Sequence, residues 1–227
     1  MVIGNGLIAS AFLKDYQNDD RFLIFASGVS NSSETNVNEF EREKLLFSKS
    51  VLSNPSKHVV YFTSFIDPNK EKMQYADHKC KMEELVKSYK NFYTILKLPQ
   101  VIGKTGNNNT LVNFIVKKLK NQEELNVYKN VYKSLIDVED VKGIVDILVK
   151  KWNDKNIYVD FPYIEKLTVI DIVNLISNQL NLKSKIVLVE SPNYDLPEPS
   201  LAVEAILNQL NITPKGYTEK VIKKYVQ

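Results

Sequence analysis

The side chains best equipped for chemistry are Ser64, Tyr75 eleven residues later, and Lys79 four after that. A phenol is too weak an acid to trade its proton easily near neutrality, and a cationic amine held beside it favours the phenolate. A neighbouring hydroxyl can hydrogen-bond to a substrate oxygen whose charge changes during reaction. Together these groups suit moving a hydride on or off a carbinol carbon while the matching proton passes at oxygen. Tyr-x-x-x-Lys by itself is a weak signal in a chain with 12 Tyr and abundant Lys, so its weight depends on what positions it.

Two elements must do that positioning. His58 to Phe62 is an apolar, β-branched run that reads as a buried strand, ending in the hydroxyl pair Thr63-Ser64. Residues 72 to 89 mix Lys, Glu, Met, Leu and Ala and read as a helix, with Tyr75 and Lys79 one turn apart on one face. A second pattern opens the chain, where Gly4, Gly6 and Ala9 give G-x-G-x-x-A directly after Met1 to Ile3. Gly4 suits a tight turn, Gly6 lets a phosphate approach the backbone, and Ala9 allows close helix–strand packing, with a pyrophosphate on the following helix terminus.

In these segments the chain resembles the extended short-chain dehydrogenase/reductases, especially the nucleotide-sugar epimerases, dehydratases and ketoreductases. Ser64 resembles that family's catalytic Ser/Thr at the end of its fifth strand, and Tyr75-Ala76-Asp77-His78-Lys79 its Tyr-x-x-x-Lys. YTILKLPQVIG, Tyr93 to Gly103, is similar to the segment where a strand ends in Arg-x-Pro ahead of a Gly, with Lys97 replacing Arg. YKSLIDVEDV, Tyr132 to Val141, is similar to Arg-x-x-Ile-x-Val-x-Asp-Val, with Lys133 replacing Arg and Asp140 as the acid. The resemblance covers residues 1 to about 145 and implies NAD or NADP as cofactor. It assigns cofactor contacts to Gly4, Asn5, Gly6, Leu7, Ile8, Ala26, Ser27, Gly28, Lys79 and Pro99, and catalysis to Ser64, Tyr75 and Lys79. Nucleotide-sugar contacts fall on Thr63, Phe65, Gln100, Val101, Lys104 and Lys133. It also implies a homodimer through helices 38–52 and 72–89, with Phe40, Leu45, Met82 and Leu85 as the exposed apolar stripe.

The chain departs from the family after its second strand, Arg21 to Ala26. An acid about 20 residues beyond the glycines ordinarily holds the adenosine ribose, but Ala26-Ser27-Gly28 stands there. FASG is a better match for the Ala-Ala/Gly that follows the family's fourth strand. Only 31 residues separate Ser27 from His58, room for one long helix at Asn38 to Leu52 but not for two strand–helix units. The family's second and third strands are therefore expected to be missing, which puts 21–26 beside 1–3 and 59–62 next outward. The adenine side is reduced, and NAD cannot be told from NADP.

Composition narrows the alternatives. A chain of 227 residues buries one core, or one and a small lobe. Net charge is +3, and the 30 basic residues include only two Arg, Arg21 and Arg42, with Lys scattered, which argues against nucleic acid as partner. A single cysteine, Cys80, expected to be a buried thiol, excludes an intrachain disulfide and a cysteine-rich zinc site. His58 and His78 lack metal-ligand spacing, so no metal is expected. No signal peptide or membrane-length apolar run is read, which predicts a cytoplasmic protein without a membrane partner.

The rest alternates strands and helices, predicting an α/β fold with a Rossmann-like parallel sheet and a small C-terminal substrate lobe. Strands are predicted at Asn91 to Leu98, Ile157 to Val159 and Ile186 to Val189. Gln100 to Asn109 reads as a loop facing substrate, and SPNYDLPEP as a second, Pro-rich one. Helices are predicted at Leu7 to Tyr16, Leu111 to Leu119 capped by Thr110, Val138 to Lys151, Thr168 to Leu180, Ser200 to Leu210 and Tyr217 to Tyr225. Residues 1–145 form the expected cofactor domain, and 146–227, interleaved with 100–135, the remaining strands and lobe. The expected function is an NAD(P)-dependent oxidoreductase or epimerase of a nucleotide-linked sugar. The alternative is a binding or regulatory protein of the same fold. Dehydratase chemistry is less favoured: the family's dehydratases place Asp-Glu directly after the strand-tip hydroxyl, and here Phe65-Ile66 intervenes before Asp67.

Overall fold

The computed structural model describes residues 1–65, 74–152, 154–190 and 195–227. Asp67, the first two residues of the expected 72–89 helix, the start of the Pro-rich loop and the Trp152 side chain lie outside the described residues. The elements begin β1 (Val2–Ile3), α1 (Leu7–Tyr16), β2 (Phe22–Phe25), α2 (Val37–Leu52), β3 (His58–Ser64), α3 (Gln74–Lys87) and β4 (Tyr93–Leu98). They continue β5 (Gln100–Ile102), α4 (Leu111–Lys120), β6 (Glu124–Tyr128), β7 (Tyr132–Lys133), β8 (Leu135–Asp137) and α5 (Val138–Trp152). The chain closes with β9 (Ile157–Asp160), β10 (Leu167–Thr168), α6 (Val169–Leu180), β11 (Lys185–Val189), α7 (Leu201–Gln209) and α8 (Tyr217–Tyr225). They divide into two compact units, Met1–Leu98 with Val138–Asp160, and Pro99–Asp137 with Phe161–Gln227.

The first unit is a parallel Rossmann-like sheet in the order β1-β2-β3-β4-β9. Its middle strands are nearly continuous apolar runs because helices cover both faces. Leu23, Phe25, Val59, Tyr61 and Ile95 from the strands pack with Phe47 of α2 and Met82 and Val86 of α3. The order is the expected one: β1 lies at the edge, β2 beside it and β3 next, and α2 is the only regular element between Ala26 and His58.

Helices α2 and α3 lie side by side, with the Phe40 ring stacked on the His78 imidazole at 4.7 Å. Asn36 starts α2 by accepting from the Asn38 N–H. The buried positions of α2 are Phe40, Glu43, Phe47 and Ser50, spaced three and four apart along one face. This corrects the expected exposed stripe. Phe40 and Met82 are buried, at 8% and 1% exposure, and Leu45 is exposed at 55% while Leu85 is half-buried. Cys80, expected buried, points outward because its neighbours Lys79 and Met82 take the inner face of α3.

The second unit holds three two-stranded ladders, β5 with β8 and β6 with β11, both parallel, and β7 with β10, antiparallel. The sequence reading treats Gln100–Ile102 as loop and passes over β6, whose alternating burial marks a strand with one covered face. The Thr110 hydroxyl makes no capping bond and donates instead to the Asn107 carbonyl at 3.3 Å. Thr168 does cap α6, in a reciprocal pair with Asp171. Among the described residues no helix is long and apolar enough to cross a membrane, and no group of three or more His, Cys, Asp or Glu could hold a metal ion.

Candidate active site

Strand β3 runs two residues past its apolar stretch and ends at Ser64, and α3 brings Tyr75 back against that tip. Ser64 Oγ and Tyr75 Oη lie 3.0 Å apart, with either able to donate. Tyr75 is 7% exposed and packs with Val29 and Phe40. One turn along α3, Lys79 is 2% exposed, and its ammonium sits 5.6 Å from the centre of the Tyr75 ring. The three residues singled out by spacing are thus brought together in the first unit.

The sequence reading misses the partner that Lys79 meets there. Its Nζ donates to both carboxylate oxygens of Glu43, at 3.2 Å each. Glu43 is wholly buried and also accepts from the Val29 N–H at 2.7 Å, the Tyr61 hydroxyl at 2.7 Å and His78 Nε2 at 2.9 Å. Burial alone pushes the Glu43 carboxyl up, but the His78 bond, the Lys79 charge, the Val29 N–H and the Tyr61 hydroxyl outweigh it and bring the carboxyl down to about 2. The same burial, with the Glu43 anion alongside, pushes the Tyr61 phenol well above its ordinary value. Glu43 is the one acid on the buried stripe of α2, and the packing of that helix is what singles it out from its charged neighbours.

The glycines have separate local reasons. Gly4 has φ +129°, and a Cβ there would stand 2.4 Å from the Ala26 carbonyl oxygen, so the β1–α1 turn closes directly on the backbone ending β2. Gly6 precedes α1 with no side-chain cap, and a Cβ on it would meet nothing within 4 Å. That turn therefore offers open backbone at the start of a helix, the shape a phosphate requires. Ala9 is fully buried, as close helix–strand packing demands. A Cβ on Gly28 would come 2.9 Å from Lys79 Nζ and 3.1 Å from Glu43 Oε1. The glycine turn, Ala26-Ser27-Gly28 and Lys79 are therefore contiguous, an arrangement that fits a pyrophosphate at one end and a ribose at the other. Arg42, a further group the sequence reading passes over, places its guanidinium on the Ser27 carbonyl and hydroxyl at 3.3 Å.

The remaining expected contacts distribute differently. Asn5 is exposed, and Leu7 and Ile8 are half-buried in the first turn of α1. The Thr63 hydroxyl donates to Glu83 at 2.9 Å, and Tyr158 donates to the other oxygen of Glu83 at 3.1 Å, so Thr63 is committed to a buried network. Phe65 is half-buried with Lys97 Nζ 5.3 Å from its ring centre. Pro99, Gln100, Val101, Lys104 and Lys133 belong to the second unit, Gln100 and Lys104 exposed and the others half-buried.

No protein-family model and no curated protein matches the chain. Solved structures do. A dTDP-glucose 4,6-dehydratase from Bacillus anthracis in complex with NAD is 14% identical over 98% of this chain and 76% of its own, with a TM-score of 0.67. A Thermus thermophilus UDP-glucose 4-epimerase, also in complex with NAD, is 14% identical over 96% of this chain and 79% of its own, with a TM-score of 0.66. A Bacillus cereus UDP-N-acetylglucosamine 4-epimerase is 13% identical over 98% of this chain and 93% of its own, with a TM-score of 0.69. The chain shares the fold of these epimerases and dehydratases.

Proposed function

We propose that the chain binds NAD or NADP and catalyses keto–hydroxyl chemistry at a ring carbon of a nucleotide-linked sugar, as an epimerase or reductase. The observation that carries this reading is the 3.0 Å approach of Ser64 Oγ to Tyr75 Oη with the Lys79 ammonium beside the same ring. Gly4 to Ile8 and Ala26 to Gly28 would hold the pyrophosphate and Lys79 the adjoining ribose, while the nicotinamide when bound supplies the acceptor or donor of hydride. Tyr75 Oη takes the proton from the sugar hydroxyl as its carbon loses hydride, and returns it in the reverse direction. Ser64 Oγ hydrogen-bonds the same sugar oxygen and keeps it within reach of Tyr75. Burial of Tyr75 and Lys79 keeps bulk water from competing for that proton.

Nicotinamide fluorescence with NADH and NADPH separately, followed by a panel of UDP-, dTDP-, GDP- and CDP-linked sugars, tests the reading. Binding of one cofactor with turnover of one sugar supports it, and failure to bind either removes it. A second reading, a nucleotide-sugar binding or regulatory protein without turnover, is favoured by the sheet ending at β1 and predicts binding with no turnover across the panel. A homodimer along α2 would rest on Val37, Leu45 and Leu52, its exposed apolar residues, and sedimentation of a monomer at high micromolar concentration would remove it.

A further inference from the structure

We propose that Glu43 is a positioning residue of this site: its buried carboxylate clamps the Lys79 ammonium against Gly28 and beside the Tyr75 ring, and so fixes the direction of the lysine's third N–H. The inference rests on the cofactor reading above and adds a residue to it. An ammonium has three donors, and two are taken by the Glu43 oxygens, which leaves one for a ligand oxygen or for Tyr75. The clamp is itself fixed from three directions. The Val29 N–H holds it from the segment after β2, the Tyr61 hydroxyl from β3, and His78 from α3.

Stability alone does not call for this arrangement. A buried ion pair loses much of its Coulombic gain to desolvation, and apolar side chains of similar volume often do as well. Phe40 and Phe47, flanking Glu43 on the same stripe, show that α2 fills this face with apolar groups elsewhere. Gly28 supplies an independent sign that the position of Nζ matters. A single added methyl group there would fall inside contact distance of both Nζ and Oε1, so the pair is seated against bare backbone.

The first arm of the test needs no cofactor. In protein labelled with nitrogen-15 lysine, the Nζ–H signal of Lys79 is assigned by its loss in Lys79→Met. It should be present in the wild type, present and little moved in Tyr158→Phe, which removes one hydrogen bond from a different carboxylate of α3, Glu83, and lost or displaced in Glu43→Gln. The second arm reads NADH affinity by nicotinamide fluorescence: Glu43→Gln should weaken it at least tenfold, with Tyr158→Phe within twofold of wild type.

A lysine signal unmoved by Glu43→Gln overturns the proposal, and so does an equal displacement in Tyr158→Phe, which would mark general loosening. A displaced signal with unchanged NADH affinity also overturns it. If wild type binds no NADH but the lysine signal behaves as expected, the cofactor reading fails while the clamp stands. Should Glu43→Gln not fold, the Glu43→Gln/Lys79→Met pair decides: a melting temperature above that of Lys79→Met alone supports the clamp, and one below it counts against it.

Discussion

Around β2 the first unit builds two surfaces from different material. At the β1–α1 turn the working groups are backbone: Gly4 closes on the Ala26 carbonyl, and Gly6 leaves open space where a side chain would stand. At the tip of β3 they are side chains, and each is held by another, Ser64 by Tyr75 and Lys79 by Glu43, which Tyr61, His78 and Val29 secure in turn. A phosphate bound there as proposed would need correctly shaped main chain, so that surface should depend more on its glycines than on its side chains. Proton transfer needs particular atoms within hydrogen-bond reach, so the second surface is as sensitive as its weakest contact.

The sharpest way to break this contrast is Lys79→Met. It removes the charge beside Tyr75, one donor for a ribose and the counter-ion of buried Glu43, so turnover and NADH affinity should fall together, and affinity left intact would separate the lysine from the cofactor. Tyr75→Phe is cleaner, since the ring still packs against Val29 and Phe40. Turnover should drop roughly 10²–10⁴-fold with folding and NADH affinity almost unchanged. A rate within twofold of wild type would remove Tyr75 from the mechanism.

Acid should reach the side-chain surface before the backbone one. The folded Glu43 carboxyl, at about 2, lies below its ordinary 4.5, so its contribution is complete above pH 5 and lost as pH falls from 4.5 toward 2. About 2 kcal/mol of that loss falls between pH 5 and pH 3, where urea unfolding should show it in the wild type but not in Glu43→Gln/Lys79→Met. Equal losses in both proteins would assign it to other carboxylates. On the backbone surface, Gly4→Ala meets a forbidden φ and an overlap with Ala26, for a cost of roughly 1–3 kcal/mol in the same measurement. An unaffected midpoint would mean that the turn is not closed as described.

The smallest expected effect concerns what lies beyond β1. The acid-bearing strand end that ordinarily receives the adenosine ribose is absent between Ala26 and His58. Reduced nicotinamide mononucleotide should therefore bind within about tenfold of NADH. A hundredfold preference for NADH would show that adenosine has a seat in this chain after all.

Much of this was legible in residue order because the signals were local. The glycine turn and Ser64–Tyr75 follow from a strand, a helix and fixed offsets, and the order β1-β2-β3 follows from counting residues between Ser27 and His58. Glu43 was not legible in the same way. It stands among Glu39, Glu41, Arg42 and Lys44, and only the packing of α2 on α3 selects which of these charges is buried. Phe40 and Met82 were misjudged for a related reason, since a helix between a sheet and another helix has two covered flanks, and hydrophobicity does not say which apolar residue faces solvent. The short strands β7, β8 and β10 carry too few residues for a period to stand out, whereas the polar–apolar alternation of β6 at ELNVY was there to be read.

The Val29 amide has a use that requires no ligand. It belongs to the segment after β2, outside any ladder, where an N–H would ordinarily exchange with solvent deuterium quickly. Here it donates to a buried carboxylate, at 7% exposure for the residue, so exchange must wait until Glu43 withdraws. Its protection factor therefore measures the free energy of the opening, local or global, that parts Val29 from Glu43.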